Sequence, residues 1–220
     1  MARLGVIFDV DGTLVNSNDA HAHAWVEAFT EADIPSSFAR VRGLIGMGGD
    51  KLVAEVAGYD DDDPRISEIG DRRAEIFRER WLPTVRPLPG ARALVERLRD
   101  RGVPIALATS ARKDELEGVL DRLGMPDLAE VATSSDDADR SKPDPDIVVA
   151  AIERLGLPHD RIVMVGDTPY DLEAAHRAGI GLVAVRSGGF PDRSLEGALA
   201  IFDGPQDLLE HLDTSPLAPR

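Results

Sequence analysis

Short continuous apolar runs and longer stretches with helical spacing of apolar positions take turns along most of this chain. Gly5-Val6-Ile7-Phe8 is an apolar run of the length expected for a buried strand. From about residue 86 onward the two patterns alternate. Ala91, Leu94, Val95 and Leu98 recur at helical spacing and stop at Gly102, and a strand follows over Val103 to Ala108. Leu116, Val119, Leu120 and Leu123 mark the next helix before Gly124, and Glu130-Val131-Ala132 reads as a short strand. Asp144 is placed to cap a helix with Pro145 at its first position and Ile147 to Leu155 inside, after which Arg161-Ile162-Val163-Met164-Val165 is a nearly continuous apolar strand. A further helix near Leu172 to Ala178 and a strand over Ile180 to Val185 complete the series.

Strands separated by helices of this length require crossover connections, and these predict a parallel sheet wound on both faces, an α/β core of Rossmann-like, doubly wound type. Ligands of such a sheet sit at the carboxyl ends of its strands. Residues about 15 to 87 interrupt the alternation. They carry Trp25, Phe29, Ile66, Ile69 and Phe77 in helical patterns and no convincing strand, which predicts a helical cap over residues 15–87 inserted into a core of residues 1–14 and 88–220. The cap would hinge near residues 14–17 and 83–88. Asp60-Asp61-Asp62-Asp63 ahead of Pro64 reads as a solvated loop between cap helices, since no calcium-loop spacing surrounds it. The residues from Thr214 to Arg220 read as a frayed tail.

Composition narrows the possible partners. Forty Asp and Glu against 25 Lys and Arg give a net charge of −15 with no basic stretch, so the phosphate backbone of a nucleic acid finds no electrostatic footing. No cysteine is present, which excludes disulfides, thiolate metal sites and a thiol nucleophile. With no signal-type segment ahead of Gly5 and no apolar stretch near the length of a membrane span, the expectation is a soluble, cytoplasmic protein. No apolar surface stripe is left unassigned, so a monomer is expected.

Four places in the pattern carry chemistry. The first strand runs into Asp9-Val10-Asp11-Gly12-Thr13, two carboxylates leaving a strand end at a glycine turn. Such a string arises by chance in roughly a few chains per thousand of this length. Asp and Gly also form ordinary turns, but paired carboxylates repel unless a cation offsets them, which points to a hard divalent ion such as magnesium. Thr109 and Ser110 follow the second strand, where their hydroxyls could meet a phosphate oxygen or simply close the strand. Lys142, stiffened by flanking prolines in Ser141-Lys142-Pro143-Asp144-Pro145, is either a solvated surface charge or the fixed cation of an anionic site. In Gly166-Asp167-Thr168-Pro169-Tyr170-Asp171, Thr168 can cap a helix with Pro169 at its first position. Asp171 is then either the cap's partner or an acceptor for Lys142, and Asp167 is left free to ligate metal. His21 and Trp25 share a face of the first cap helix and either pack cap against core or reach the leaving group. Gly48-Gly49 either allow close backbone approach or break a helix.

The DVDGT string, Thr109, the lysine of SKPDP and the acids of GDTPYD, in this order, resemble the four motifs of the haloacid dehalogenase superfamily over residues from about 5 to about 185. The insert resembles its C1-type cap, and the acid two positions after Asp9 resembles its phosphatase branch, with phosphoglycolate phosphatase-like and β-phosphoglucomutase-like enzymes nearest. The resemblance implies Asp9 as nucleophile, Asp11 as acid then base, and Thr109 and Lys142 as phosphate stabilisers. It further implies magnesium held by Asp9, Asp11 through its backbone carbonyl, and Asp167, with Gly12, Thr13, Ser110 and His21 around a small phosphorylated metabolite. The chain departs from the mutase pattern in two places. Glycine in Gly46-Met47-Gly48-Gly49-Asp50 stands where the mutase has a cap arginine, and Gly166-Asp167 replaces its Glu-Asp pair. The implied activity is a magnesium-dependent phosphatase, with a phosphomutase or a non-catalytic phosphate- or metal-binding protein as alternatives.

Overall fold

A computed structural model describes residues 4–137 and 139–218. Six parallel strands form one sheet: β1 Gly5–Phe8, β2 Ile105–Ala108, β3 Ala132–Thr133, β4 Ile162–Gly166, β5 Gly181–Val185 and β6 Ala200–Phe202, in the spatial order β3-β2-β1-β4-β5-β6. Chain order reverses between β1 and β4, and such a reversal opens a crevice beyond the strand ends.

Alternation within the strands explains the two helical layers. Val6 and Phe8 of β1 point to one face and join Leu94, Leu98, Leu116 and Leu208, from α5 Ala91–Asp100, α6 Lys113–Leu123 and α9 Pro205–Glu210. Ile7, between them, joins Ile147, Val148 and Leu172 on the opposite face, from α7 Asp146–Leu155 and α8 Pro169–Arg177. Both faces of β1 are therefore buried, and truncation of Phe8 to Ala should cost about 3–5 kcal/mol.

Between β1 and α5 the chain is helical: α1 Asn18–Glu31, α2 Phe38–Arg42, α3 Gly49–Ala57 and α4 Pro64–Ile76, the last running into a π-helical turn, Phe77–Trp81, and a 3-10 turn, Leu82–Thr84. Trp25, Phe29, Ile66, Ile69 and Phe77 are all buried, as their spacing predicts. The two crossings into this segment run side by side. Val15 bridges Pro87, Asn16 N–H donates to the Arg86 carbonyl at 3.0 Å, and Leu88 N–H donates to the Leu14 carbonyl at 2.9 Å. Asp60 to Asp62 are exposed at a turn, and the half-buried Asp63 caps α4 by accepting the Arg65 N–H at 2.9 Å.

Four expectations need correction. The short strand is Ala132–Thr133, not Glu130 to Ala132, because Pro126–Val131 forms a 3-10 turn that buries Leu128. Helix α7 starts at Asp146 with Pro145 as its cap residue, and Asp144 is drawn instead to Lys51 of α3 at 2.6 Å. The carboxyl-terminal residues are packed as far as Leu217, which is buried in the core behind a turn closed by the Ser215 hydroxyl, while Pro219 and Arg220 lie outside the described residues. Strand β6 and α9 add to the elements read from the sequence, where three-residue Ala200–Phe202 gives too short a pattern to register. Among the described residues no helix is long and apolar enough to cross a membrane.

Candidate active site

The reversal between β1 and β4 places two acidic strand ends side by side. Phe8 is level with Val165, and the Asp9 N–H donates to the Val165 carbonyl at 2.9 Å, so Asp9 and Asp167 leave the sheet as neighbours. The chain then turns sharply at Gly12, whose φ is +77°. A side chain there would be strained and would strike Asn18 and Asp167, so both conformation and space require glycine. The turn carries Asp11 away from the sheet towards α1. Its Oδ1 accepts from the Ser17 hydroxyl and from His21 Nε2, the latter at 3.0 Å.

Lys142 is 1% exposed and has all three ammonium protons placed. It donates to Asp9 Oδ1 at 2.6 Å, to Asp171 Oδ1 at 2.8 Å and to the Ala108 carbonyl at 2.8 Å. Burial works to lower its pKa, but the charges of Asp171 and Asp9 outweigh it and hold the ammonium above the ordinary lysine range. The two readings of Asp171 prove compatible, one oxygen each. While Oδ1 takes Lys142, Oδ2 accepts the Thr168 N–H at 3.1 Å and the Thr168 hydroxyl at 2.7 Å in the capping box of α8.

Asp167 is fully buried. Thr13 Oγ1 donates to its Oδ1 at 2.9 Å and Asn18 Nδ2 to its Oδ2 at 2.8 Å. Burial, then the charge of Asp171, push its pKa to about 7, against the opposing effects of Asn18, Thr13 and Lys142. Burial likewise pushes Asp9 well up, against Lys142 and with the charges of Asp171, Asp167 and Asp11 adding to the rise. Asp11 goes the other way: burial raises it, but the charge and hydrogen bond of His21 and the Ser17 hydroxyl hold it below the usual carboxylate range.

These residues fit a hard divalent cation. Oxygens of Asp9, Asp167 and Asp171 lie within 4.8 Å of one another, and the one buried lysine among them pairs with Asp9 and Asp171. Since Asp171 is committed to Lys142 and Thr168, Asp9 and Asp167 are the side chains left to ligate. The Asp11 side chain faces the cap helix instead.

A cavity of about 50 Å³ opens over Asp9 and Asp11 towards the cap. Thr109, buried at the end of β2, accepts the Ala111 N–H at 3.1 Å and has no protein acceptor for its own hydroxyl proton among the described residues. Ser110 Oγ is buried with no hydrogen-bond partner among the described residues. Gly12 offers its carbonyl to the Ser187 hydroxyl at 2.7 Å. The larger cavity of about 640 Å³ lies at the far end of the sheet beside Ile162 and Gly181, away from every acid named here.

His21 does more than pack. Its ring stacks on Phe77 at 4.0 Å while Nε2 reaches Asp11, and its Nδ1 lies 3.4 Å from Arg73 Nη1. Arg73 sits over the Trp25 ring and donates through Nη1 to Glu115 Oε1 at 2.7 Å and Oε2 at 3.0 Å. A continuous polar chain thus runs from Glu115 of α6 through Arg73 of α4 and His21 of α1 to Asp11. Arg73, Glu115, Ser17, Asn18 and Gly188, which would meet Asp167 if it bore a Cβ, are not evident in the motifs. Arg73 leaves a trace, since it falls on the apolar stripe of Ile66, Ile69 and Phe77, and so does Glu115, four residues before Val119 at the edge of the stripe of α6. Gly48 caps α3, donates its N–H to the Lys142 carbonyl at 3.1 Å and lies where any Cβ would overlap Ser141.

Comparison with known proteins agrees with this geometry. The chain is 35% identical over 214 residues to a phosphoglycolate phosphatase of Rhodospirillum rubrum, covering 90% of this chain and 86% of the relative. It is 29% identical over 217 residues to an N-acetylmuramic acid 6-phosphate phosphatase of Pseudomonas aeruginosa, covering 97% and 96%. The crystal structure of a hydrolase from Pseudomonas syringae superimposes with a TM-score of 0.88 at 34% identity, covering 96% of this chain and 98% of that one. The family description haloacid dehalogenase-like hydrolase matches residues 4–179, and the chain belongs to that family.

Proposed function

We propose that the protein is a magnesium-dependent phosphatase that hydrolyses a small phosphorylated metabolite through an aspartyl-phosphate intermediate on Asp9. The observation that carries this reading is Asp9 at the strand end, bound by buried Lys142 at 2.6 Å, beside Asp167 and two residues from an Asp11 turned towards the cap. The phosphatases among its relatives support the reaction class.

Asp9 attacks phosphorus as the oxygen of the leaving group takes a proton from Asp11, and one hard displacement becomes two easier ones. Water then attacks the aspartyl phosphate and gives its proton to Asp11, which frees phosphate and restores Asp9. As it stands, Asp11 is held ionised by His21 and Ser17, the form the second step needs, so the proton for the first step is taken up with substrate. Lys142 fixes Asp9 and, with the Thr109 hydroxyl and the backbone around Ser110, offsets charge on the transferring oxygens. Asp9, Asp167 and the Asp11 backbone carbonyl would hold magnesium, which supplies further positive charge at the phosphoryl group when bound.

We assign residues 1–14 and 88–220 to the catalytic core and 15–87 to a cap that closes over the site, on the support of the paired crossings at Val15 and Pro87. The charge of −15 supports the absence of a nucleic-acid partner, and the lack of cysteine supports a cytoplasmic protein, read here as a monomer. Phosphate release from a panel of phosphorylated metabolites, with and without magnesium and beside Asp9→Asn, tests the reading. Release that persists in Asp9→Asn contradicts it, and turnover only with a bisphosphate primer would make the protein a mutase.

A further inference from the structure

Glu115 is 0% exposed, yet it lines the same cavity as Asp9 and Asp11. Its sole cation among the described residues is Arg73, through Nη1. The leaving-group end of the cavity therefore already contains one anion matched by one cation. Two polar atoms at that pair, Arg73 Nε and Ser110 Oγ, are buried with no hydrogen-bond partner among the described residues. The adjoining cleft, of about 300 Å³, shares Arg73 and Ser110 and adds Asp50, Asp139 and Arg112, whose guanidinium is already paired with Asp71.

We propose that this chamber selects a neutral, hydroxyl-bearing leaving group and rejects one that carries a carboxylate, with Glu115 as the specificity-determining residue. The proposal rests on the phosphatase reading above and names its substrate class: phosphate esters of polyols or sugars with no negative charge beyond the transferring phosphate. A guanidinium whose charge is answered by Glu115 still offers N–H donors to hydroxyl oxygens, and the Ser110 hydroxyl can donate or accept. A hydroxyl can also donate to Glu115 itself. A carboxylate in the same place would set two buried anions against one cation, with little water to screen them. The expectation parts this chain from its relative in Rhodospirillum rubrum, whose named substrate, phosphoglycolate, bears such a carboxylate.

The test uses matched pairs in which CH2OH replaces COO⁻: 2-hydroxyethyl phosphate against 2-phosphoglycolate, and glycerol 3-phosphate against 3-phosphoglycerate. kcat/KM is measured for each in the native protein and in Glu115→Gln with magnesium. The native protein should favour the hydroxyl member of each pair at least about tenfold, and Glu115→Gln should move the ratio towards the carboxylate by at least about tenfold. A ratio between two substrates in one preparation is independent of how much protein is folded. It would also stay put if the ion pair merely braced the cap. A native preference for the carboxylate, or a ratio unmoved in Glu115→Gln, overturns the proposal. If no member is turned over, the phosphatase reading is decided separately by the wider panel above, and calorimetric binding of the same four compounds decides the selectivity. Tighter binding of the hydroxyl members supports the chamber's selectivity; equal or weaker binding, or none, overturns it.

Discussion

Lys142 Nζ donates to Asp9 Oδ1 at 2.6 Å across 133 positions of sequence, and both side chains are buried. Removing the lysine strands Asp9 beside Asp171, Asp167 and Asp11 with no cation in contact among the described residues. Lys142→Met should therefore lower kcat by about 100-fold or more, as loss of a charge-stabilising donor does. It should also cost about 3–5 kcal/mol of stability, as an uncompensated buried partner does. Steady-state kinetics and urea denaturation of the same preparation check both. A variant within threefold of native activity would remove Lys142 from the phosphate site.

Asp167 sets the pH response of the metal-free protein. Its pKa rises from 3.8 to about 7 on folding because of burial and the charge of Asp171, so the native state holds this proton more tightly than the unfolded chain. The stability it contributes is complete at low pH and lost as pH rises towards about 7. Asp167→Asn cannot ionise. Without metal, its Tm should move above that of the native protein progressively as pH rises from 4 to 7, while magnesium should raise Tm only in the native protein near neutral pH. A difference between the two that is constant over this range contradicts the assignment.

The hydrogen bond from His21 to Asp11 has its own signature. Burial raises the Asp11 carboxyl, and His21 and Ser17 together more than reverse this. In His21→Ala the pKa of Asp11 rises, so the base form disappears at a higher pH. The acid limb of the kcat profile should move up, with activity at high pH least affected. A profile of unchanged shape would count against the contact.

Gly188 packs directly on the carboxylate of Asp167, and a Cβ there would overlap it. Gly188→Ala should displace the proposed ligand and weaken magnesium binding by about tenfold or more, read by calorimetry, with the fold retained by circular dichroism. Unaltered affinity would place the metal away from Asp167.

The parallel sheet and its acidic strand ends were legible because they rest on local signals: apolar runs, a helix start at Thr168-Pro169, and acids placed just past a strand. Asp9, Asp11, Asp167 and Asp171 are drawn together because β1 and β4 are neighbours, a strand order that the alternation by itself does not fix, and Lys142 reaches them from the segment before α7. Other features are set by tertiary proximity alone. The sequence pattern offers Asp144 as a helix cap, but Lys51 of α3 competes for its carboxylate. Glu115 sits in the charged run Lys113-Asp114-Glu115, and only its place four residues before Val119, at the edge of the apolar stripe, sets it rather than Asp114 inward; that it meets Arg73 there is set by tertiary proximity. Thr13 belongs to the first motif, yet its hydroxyl is spent on Asp167, a contact visible only once the strands lie together.

The most direct test of the account is chemical capture of the intermediate. Native enzyme turning over a phosphorylated substrate with magnesium is quenched rapidly in acid, digested and examined by peptide mass spectrometry beside Asp9→Asn. The account predicts phosphate on the peptide containing Asp9, released by hydroxylamine, with neither label nor turnover in Asp9→Asn. Turnover with phosphate on another residue, or undiminished turnover in Asp9→Asn, would contradict it.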